Sequence, residues 1–153
     1  MKDAINMNEV DVLMVEDSPN DAELISRALS KLNIVNKVFW VKDGAEAIDF
    51  IFCTGKYGER NIVALPKVVL LDLKLPKVNG LEVLTKIKGD IRTKSIPVVI
   101  VTSSQEDRDL KEAYKVGANS YIVKPIEAEN FIKALSEAGL YWLAINKPPI
   151  IKI

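Results

Sequence analysis

The sequence predicts a doubly wound α/β domain, a five-stranded parallel sheet flanked by five helices. Three observations predict it. Apolar runs of strand length alternate with amphipathic stretches of helix length from residue 10 onward. Most of those runs lack polar alternation, as strands covered on both faces do. The intervening helices supply the right-handed crossovers that parallel pairing requires.

The first strand is VDVLMV (10–15), ending at Glu16-Asp17. Ser18 reads as an N-cap, Pro19 as the first helical position and Asp21 as N3, opening a helix over about 19–32. Ala22, Ile25, Leu29 and Leu32 fall on one face of it. KVFWV (37–41) is the second strand, with Trp40 expected in a buried position. A helix over 44–54 follows, with Cys53 expected as a packed thiol at its end, and 55–66 is the one long irregular connection. KVVLLD (67–72) precedes a helix over 80–89, and IPVVIVT (96–102) precedes one over 105–117, which Gly117 ends ahead of Asn119. SYIVK (120–124) is the fifth strand. The last helix, over 127–146, carries a stripe of Phe131, Leu135, Ala138, Trp142 and Ile145, widened by Ile132, Leu140, Tyr141 and Leu143. Lys147-Pro148-Pro149 stops it before the tail Ile150-Ile151-Lys152-Ile153. The expected division is an N-terminal arm (1–9), a domain (10–146) and a C-terminal tail (147–153).

Composition narrows the function. The 153 residues fit one domain, and 48% apolar content suffices for a core. The 21 basic and 21 acidic residues cancel, so neither nucleic acid nor an anionic membrane is an expected partner. A single Cys rules out an internal disulfide framework. With no His in the chain, any histidine chemistry must come from a partner. The N-terminal stretch MKDAINMNEVD has no apolar core and no apolar run approaches a membrane span, so a cytoplasmic protein is expected.

Ligands of open α/β sheets bind at the carboxyl ends of the strands. Those ends carry Glu16-Asp17, Asp72, Thr102-Ser103-Ser104 and Lys124-Pro125. Each alone is ordinary: a solvated strand end, a loop acceptor, a β-prone threonine, a surface lysine. Together they form a phosphate-and-metal set. Crowded carboxylates repel, and a hard cation such as Mg2+ relieves the repulsion while leaving room for phosphate oxygens. Asp72 can then act as a carboxylate nucleophile, with Lys124 and the Thr102 hydroxyl stabilising the phosphoryl oxygens.

The strings VLMVEDSPND, VVLLDLKLPKVNG, PVVIVTSS and ANSYIVKP resemble the receiver domain of two-component response regulators, over about residues 10–135. The resemblance implies a flavodoxin-like sheet of order 2-1-3-4-5. It implies Asp72 as phosphoacceptor and Glu16, Asp17, Asp72 and the backbone carbonyl of Lys74 as Mg2+ ligands. Thr102 and Tyr121 become the switch pair, Lys124 the phosphate-contacting lysine, and the Lys124-Pro125 bond a cis peptide. Asn79 stands where Asp is common and Ser103 where Ala is common, while Lys74 and Ser104 occupy positions that tune dephosphorylation. The loop 55–66 and the Trp142…Pro148-Pro149 extension are similar to the small stand-alone receivers that partner phytochrome-type sensor histidine kinases.

The implied function is a switch phosphorylated by a sensor histidine kinase or phosphotransfer protein, not an enzyme acting on outside substrates. Its output is expected through protein contact, including a homodimer through the last helix or through the fourth-helix, fifth-strand, fifth-helix face. Two alternatives are weaker. An aspartyl-phosphate phosphatase needs a second Asp two residues after the nucleophile, where this chain has Lys74. A flavin-binding or inactive interaction module conflicts with the complete acidic set and with the absence of a phosphate-binding loop after the first strand.

Overall fold

In a computed structural model, which describes residues 6–32, 36–124 and 128–149, five strands form inside the five apolar runs. They are β1 (Val12–Val15), β2 (Val38–Val41), β3 (Val68–Leu71), β4 (Val98–Thr102) and β5 (Ser120–Val123). All pair in parallel, in the order β2-β1-β3-β4-β5, so the order reverses between β1 and β3.

Strand side chains alternate between two cores. Leu13, Val15, Val69, Leu71, Val98 and Ile100 face one way and pack with α2 (Gly44–Phe52), α3 (Gly80–Lys88) and α4 (Asp107–Val116). Val12, Met14, Val68, Leu70, Val99 and Val101 face the other way and pack with α1 (Pro19–Ser30) and α5 (Ala128–Leu140). Both faces are covered, which is why β1, β3 and β4 read as unbroken apolar runs. At the sheet edges β2 and β5 are only half-buried. Trp40 is therefore half-exposed rather than buried, and its indole N–H donates to the carbonyl of Glu16 at 2.7 Å.

The end of the last helix departs from expectation. The α-helix stops at Leu140 and a π-helical turn runs Tyr141–Ile145, closed by Asn146 N–H donating to Tyr141 O at 2.6 Å. A π turn takes more residues per revolution and shifts the face that follows. Leu135, Gly139 and Leu143 turn inward, while Leu140, Tyr141 and Ile145 are exposed. Gly139 lies close against α1: a Cβ there would lie 3.0 Å from Leu29 Cδ2, a tight contact with a side-chain end. The side chain of Phe131, residue Pro125 with its peptide bond, and the tail Ile150–Ile153 lie outside the described residues.

The long connection after α2 is ordered around Arg60, which is 8% exposed. Its guanidinium donates to the carbonyls of Met7 (2.9 Å), Phe50 and Ala64 (2.9 Å), and it lies 3.9 Å above the Phe50 ring. Cys53 caps α2 in the left-handed region (φ 59°) and remains a free, half-buried thiol 3.4 Å from Arg60 Nη1.

Candidate functional site

Register assembles the site. Val15 pairs with Leu71, so Glu16 and Asp72 emerge side by side where the strand order reverses. Asp72 N–H donates to Val15 O at 3.1 Å, and Glu16 N–H to Val41 O at 3.1 Å. Thr102 pairs with Val123, and Lys124 N–H donates to Thr102 O at 2.7 Å, which starts the Lys124 side chain at the same edge. Glu16, Asp72 and Thr102 are buried, and Asp17 is exposed.

The loop after Asp72 is held close by glycine. Gly80 N–H donates to Leu73 O at 2.8 Å, and a Cβ on Gly80 would lie 2.0 Å from Asp72 O. Asn79 caps α3 by accepting from Glu82 N–H at 3.0 Å, so Asn serves where Asp is common. Lys74 is exposed, and its backbone N–H donates to Asp72 Oδ1 at 3.3 Å.

Lys124 is the hub. Its ammonium lies 2.8 Å from Glu16 Oε1, 2.8 Å from Asp21 Oδ2 and 2.8 Å from Asp72 Oδ2. The contacts to Asp21 and Asp72 are aligned hydrogen bonds. That to Glu16 is an ion pair without such alignment, and Glu16 Oε1 is left with no hydrogen bond of its own. Burial alone would depress the Lys124 pKa, but the close carboxylates of Asp21, Asp72 and Glu16 outweigh it and hold the ammonium above the ordinary lysine range. Glu16 responds differently. Burial, reinforced by the charge of Asp72, outweighs the pull of Lys124 and the Ser18 N–H and raises its pKa to about 7.

Glu16, Asp17 and Asp72 each place a carboxylate oxygen within 4.8 Å of the others. This oxygen-only donor set suits a hard divalent cation, and Glu16 Oε1, held only by its ion pair with Lys124, has no hydrogen bond to give up to one. A cleft of about 510 Å³ opens beside the cluster, lined by Asp17, Lys74, Asn79, Glu106 and Arg108 among others.

Thr102 and Tyr121 meet through Ser104. Thr102 Oγ1 accepts from Ser104 N–H at 3.3 Å, and Tyr121 O–H donates to Ser104 O at 3.1 Å. The Ser104 hydroxyl in turn bonds Asp109 near the start of α4.

Sequence reading did not single out Asp21 as part of the site. Its position at N3, with its N–H given to Ser18 Oγ at 3.3 Å, marked only a helix start. Nothing in the local sequence ties it to Lys124.

A doubly wound sheet with buried carboxylates at its switch point and a lysine drawn into them from β5 is the architecture of a phosphoryl-accepting receiver. The family model described as the response regulator receiver domain matches residues 12–136, and the chain belongs to that family. It is 41% identical over 138 residues to the probable methanogenesis regulatory protein FilR2 of Methanothrix harundinacea, covering 90% of this chain and 86% of that one. It is 34% identical to response regulator Rcp1 of Synechocystis, covering 94% of this chain and 95% of that one. The structure of the Mn(2+)-bound form of Rcp1 superposes with a TM-score of 0.83 at 33% identity, covering 90% and 97% of the two chains. That of the phosphorylated cyanobacterial phytochrome response regulator RcpA gives 0.84 at 33% identity, covering 90% and 96%. Among the described residues, no helix is long and apolar enough to cross a membrane.

Proposed function

We propose that this response regulator receiver accepts a phosphoryl group on Asp72 from a phospho-histidine, with Mg2+ bound beside it, and signals through a changed protein-contact surface. The observation that carries this reading is the convergence of Asp72, Lys124 and the Glu16/Asp17 pair at the switch point of the sheet. Relatives support it, since one is described in a phosphorylated form and one in a Mn(2+)-bound form.

A sensor histidine kinase or phosphotransfer protein donates, because this chain contains no His. An Asp72 Oδ attacks phosphorus as the P–N bond to the donor imidazole breaks. The imidazole leaves with the electron pair and takes up a proton. Lys124, charged and 2.8 Å from Asp72, stands ready to follow the phosphoryl oxygens. Glu16, Asp17, Asp72 and the Lys74 carbonyl would hold the Mg2+, which when bound neutralises charge that builds on those oxygens. The buried Thr102 hydroxyl turns from Ser104 N–H towards the phosphoryl group. Tyr121, tied to Ser104 O on the same loop, follows, and the α4, β5 and α5 surface changes. With Lys74 two residues after Asp72 no second acid is in place for phosphatase turnover, so the chemistry is self-phosphorylation and self-dephosphorylation only.

The receiver spans residues 10–146 between a short arm (1–9) and a tail (147–153), and it works in the cytoplasm without nucleic-acid or membrane contact. A phytochrome-type kinase is the proposed source of signal, by likeness to RcpA. A homodimer through the last helix fits the exposed Leu140, Tyr141 and Ile145, and the α4–β5–α5 face is the alternative contact.

The test is incubation with phosphoramidate followed by intact mass, with and without Mg2+. A Mg2+-dependent gain of one phosphoryl group in the parent, absent in Asp72→Asn, is expected. No gain, with rapid hydrolysis excluded by quenching at early times, refutes the reading.

A further inference from the structure

The geometry points to Asp21 as a positioning residue for phosphoryl transfer, anchoring the Lys124 ammonium from outside the metal-binding cluster. This rests on Asp72 being the phosphoacceptor.

An ammonium has three N–H donors. On Lys124 they face three carboxylates at one distance, 2.8 Å, but those partners have different fates. Glu16 and Asp72 belong to the trio able to share a cation, and Asp72 is also the oxygen that takes phosphorus. Both therefore change their demands on Lys124 as the site loads. Asp21 belongs to neither role. Its carboxylate is one-third exposed, while the Lys124 side chain is 13% exposed. Its backbone is pinned at N3 of α1 by Ser18, so the carboxylate projects from a fixed point.

Asp21 can thus keep its hydrogen bond while the ammonium exchanges its contacts with Glu16 and Asp72 for phosphoryl oxygens. Without it, the ammonium is drawn wholly into Glu16 and Asp72, where it competes with an incoming cation and stands out of place for the phosphoryl group. A long side chain with four rotatable bonds gains most from such a tether. The position looked like an ordinary helix start, yet its partner lies 103 residues along the chain.

The test is a double-mutant cycle between Asp21→Asn and Lys124→Met. Asp21→Asn keeps the side-chain size and removes the charge. With phosphoramidate at saturating Mg2+, Asp21→Asn should slow Asp72 phosphorylation about tenfold in the parent and leave the rate unchanged in the Lys124→Met background. Asp21→Glu should recover part of the loss. In metal-free protein, the cycle on urea unfolding should show a coupling of about tenfold in the unfolding constant, a readout independent of phosphorylation. Equal rates in parent and Asp21→Asn overturn the inference, as does an equal slowing with and without Lys124. A parent that gains no phosphoryl group while showing the metal-free coupling overturns the phosphoacceptor reading and, with it, the positioning role, leaving Asp21–Lys124 a structural pair. A phosphorylated parent with no coupling in either measurement overturns the Asp21 role alone.

Discussion

Arg60 is a buried cation and Lys124 a largely buried one, at opposite ends of the sheet, and their partners differ in kind. Lys124, at the carboxyl ends of the strands, is shared among the carboxylates of Glu16, Asp21 and Asp72. Arg60, near the amino ends, is surrounded by the neutral carbonyls of Met7, Phe50 and Ala64. Lys88 repeats the second arrangement, donating to Lys94 O, Ile96 O and Asn119 Oδ1 ahead of β4 and β5. Neutral acceptors satisfy a guanidinium without creating a second charge that must be kept from water. That end of the sheet is stapled. The carboxyl end instead gathers three carboxylates around the Lys124 ammonium, and repulsion between Glu16 and Asp72 persists. Such a cluster is poor for stability and suited to a site that gains a divalent cation and a phosphoryl group.

The largest expected effect separates the two kinds of lysine. Lys124→Met should slow phosphorylation of Asp72 by phosphoramidate roughly 100-fold, while Lys88→Met leaves that rate near the parent's. A comparable loss in both would erase the distinction between ends.

Arg60→Ala reverses the emphasis. It strands the carbonyls of Met7, Phe50 and Ala64 and should lower stability by about 3 kcal/mol in urea denaturation. Rate of phosphorylation, measured on the folded fraction, should be unaffected. A stability close to the parent's would show that these carbonyls find water instead.

A pH series sharpens the picture of the carboxyl end. Glu16 is raised from 4.5 to about 7, so between those values the folded chain holds a proton that the unfolded chain has released. Its contribution is fully present below pH 4.5 and is lost as pH rises through 7. The metal-free parent should therefore lose about 2 kcal/mol relative to Glu16→Gln across that window. A flat difference would mean that Glu16 is ionised throughout.

The sequence disclosed the carboxyl end better than the amino end, for a physical reason. Parallel strands of this length deliver their last residues to one edge, so Glu16, Asp17, Asp72, Thr102 and Lys124 converge once the runs are placed. The cap at Ser18 was legible too, because it acts within three residues. Arg60 was not, since an arginine in an irregular connection reads as solvated until tertiary packing sets three carbonyls around it. Asp21 carried a complete local explanation as N3, and the contact with Lys124 depends on a register that no local pattern encodes. The π turn at Tyr141–Ile145 likewise left no mark, because a five-residue change of helical phase lies inside a stretch that is apolar all round.

The smallest effect is the most direct. Melting of the parent and of Asp72→Asn should be followed by calorimetry, each with and without Mg2+. Relief of repulsion with Glu16 should make the metal-free variant more stable by ~1 kcal/mol, about 3 °C in melting temperature, and Mg2+ should raise the parent far more than the variant. Identical melting of the two proteins under both conditions would contradict the account of the carboxyl end as a cation-binding site kept at the expense of stability.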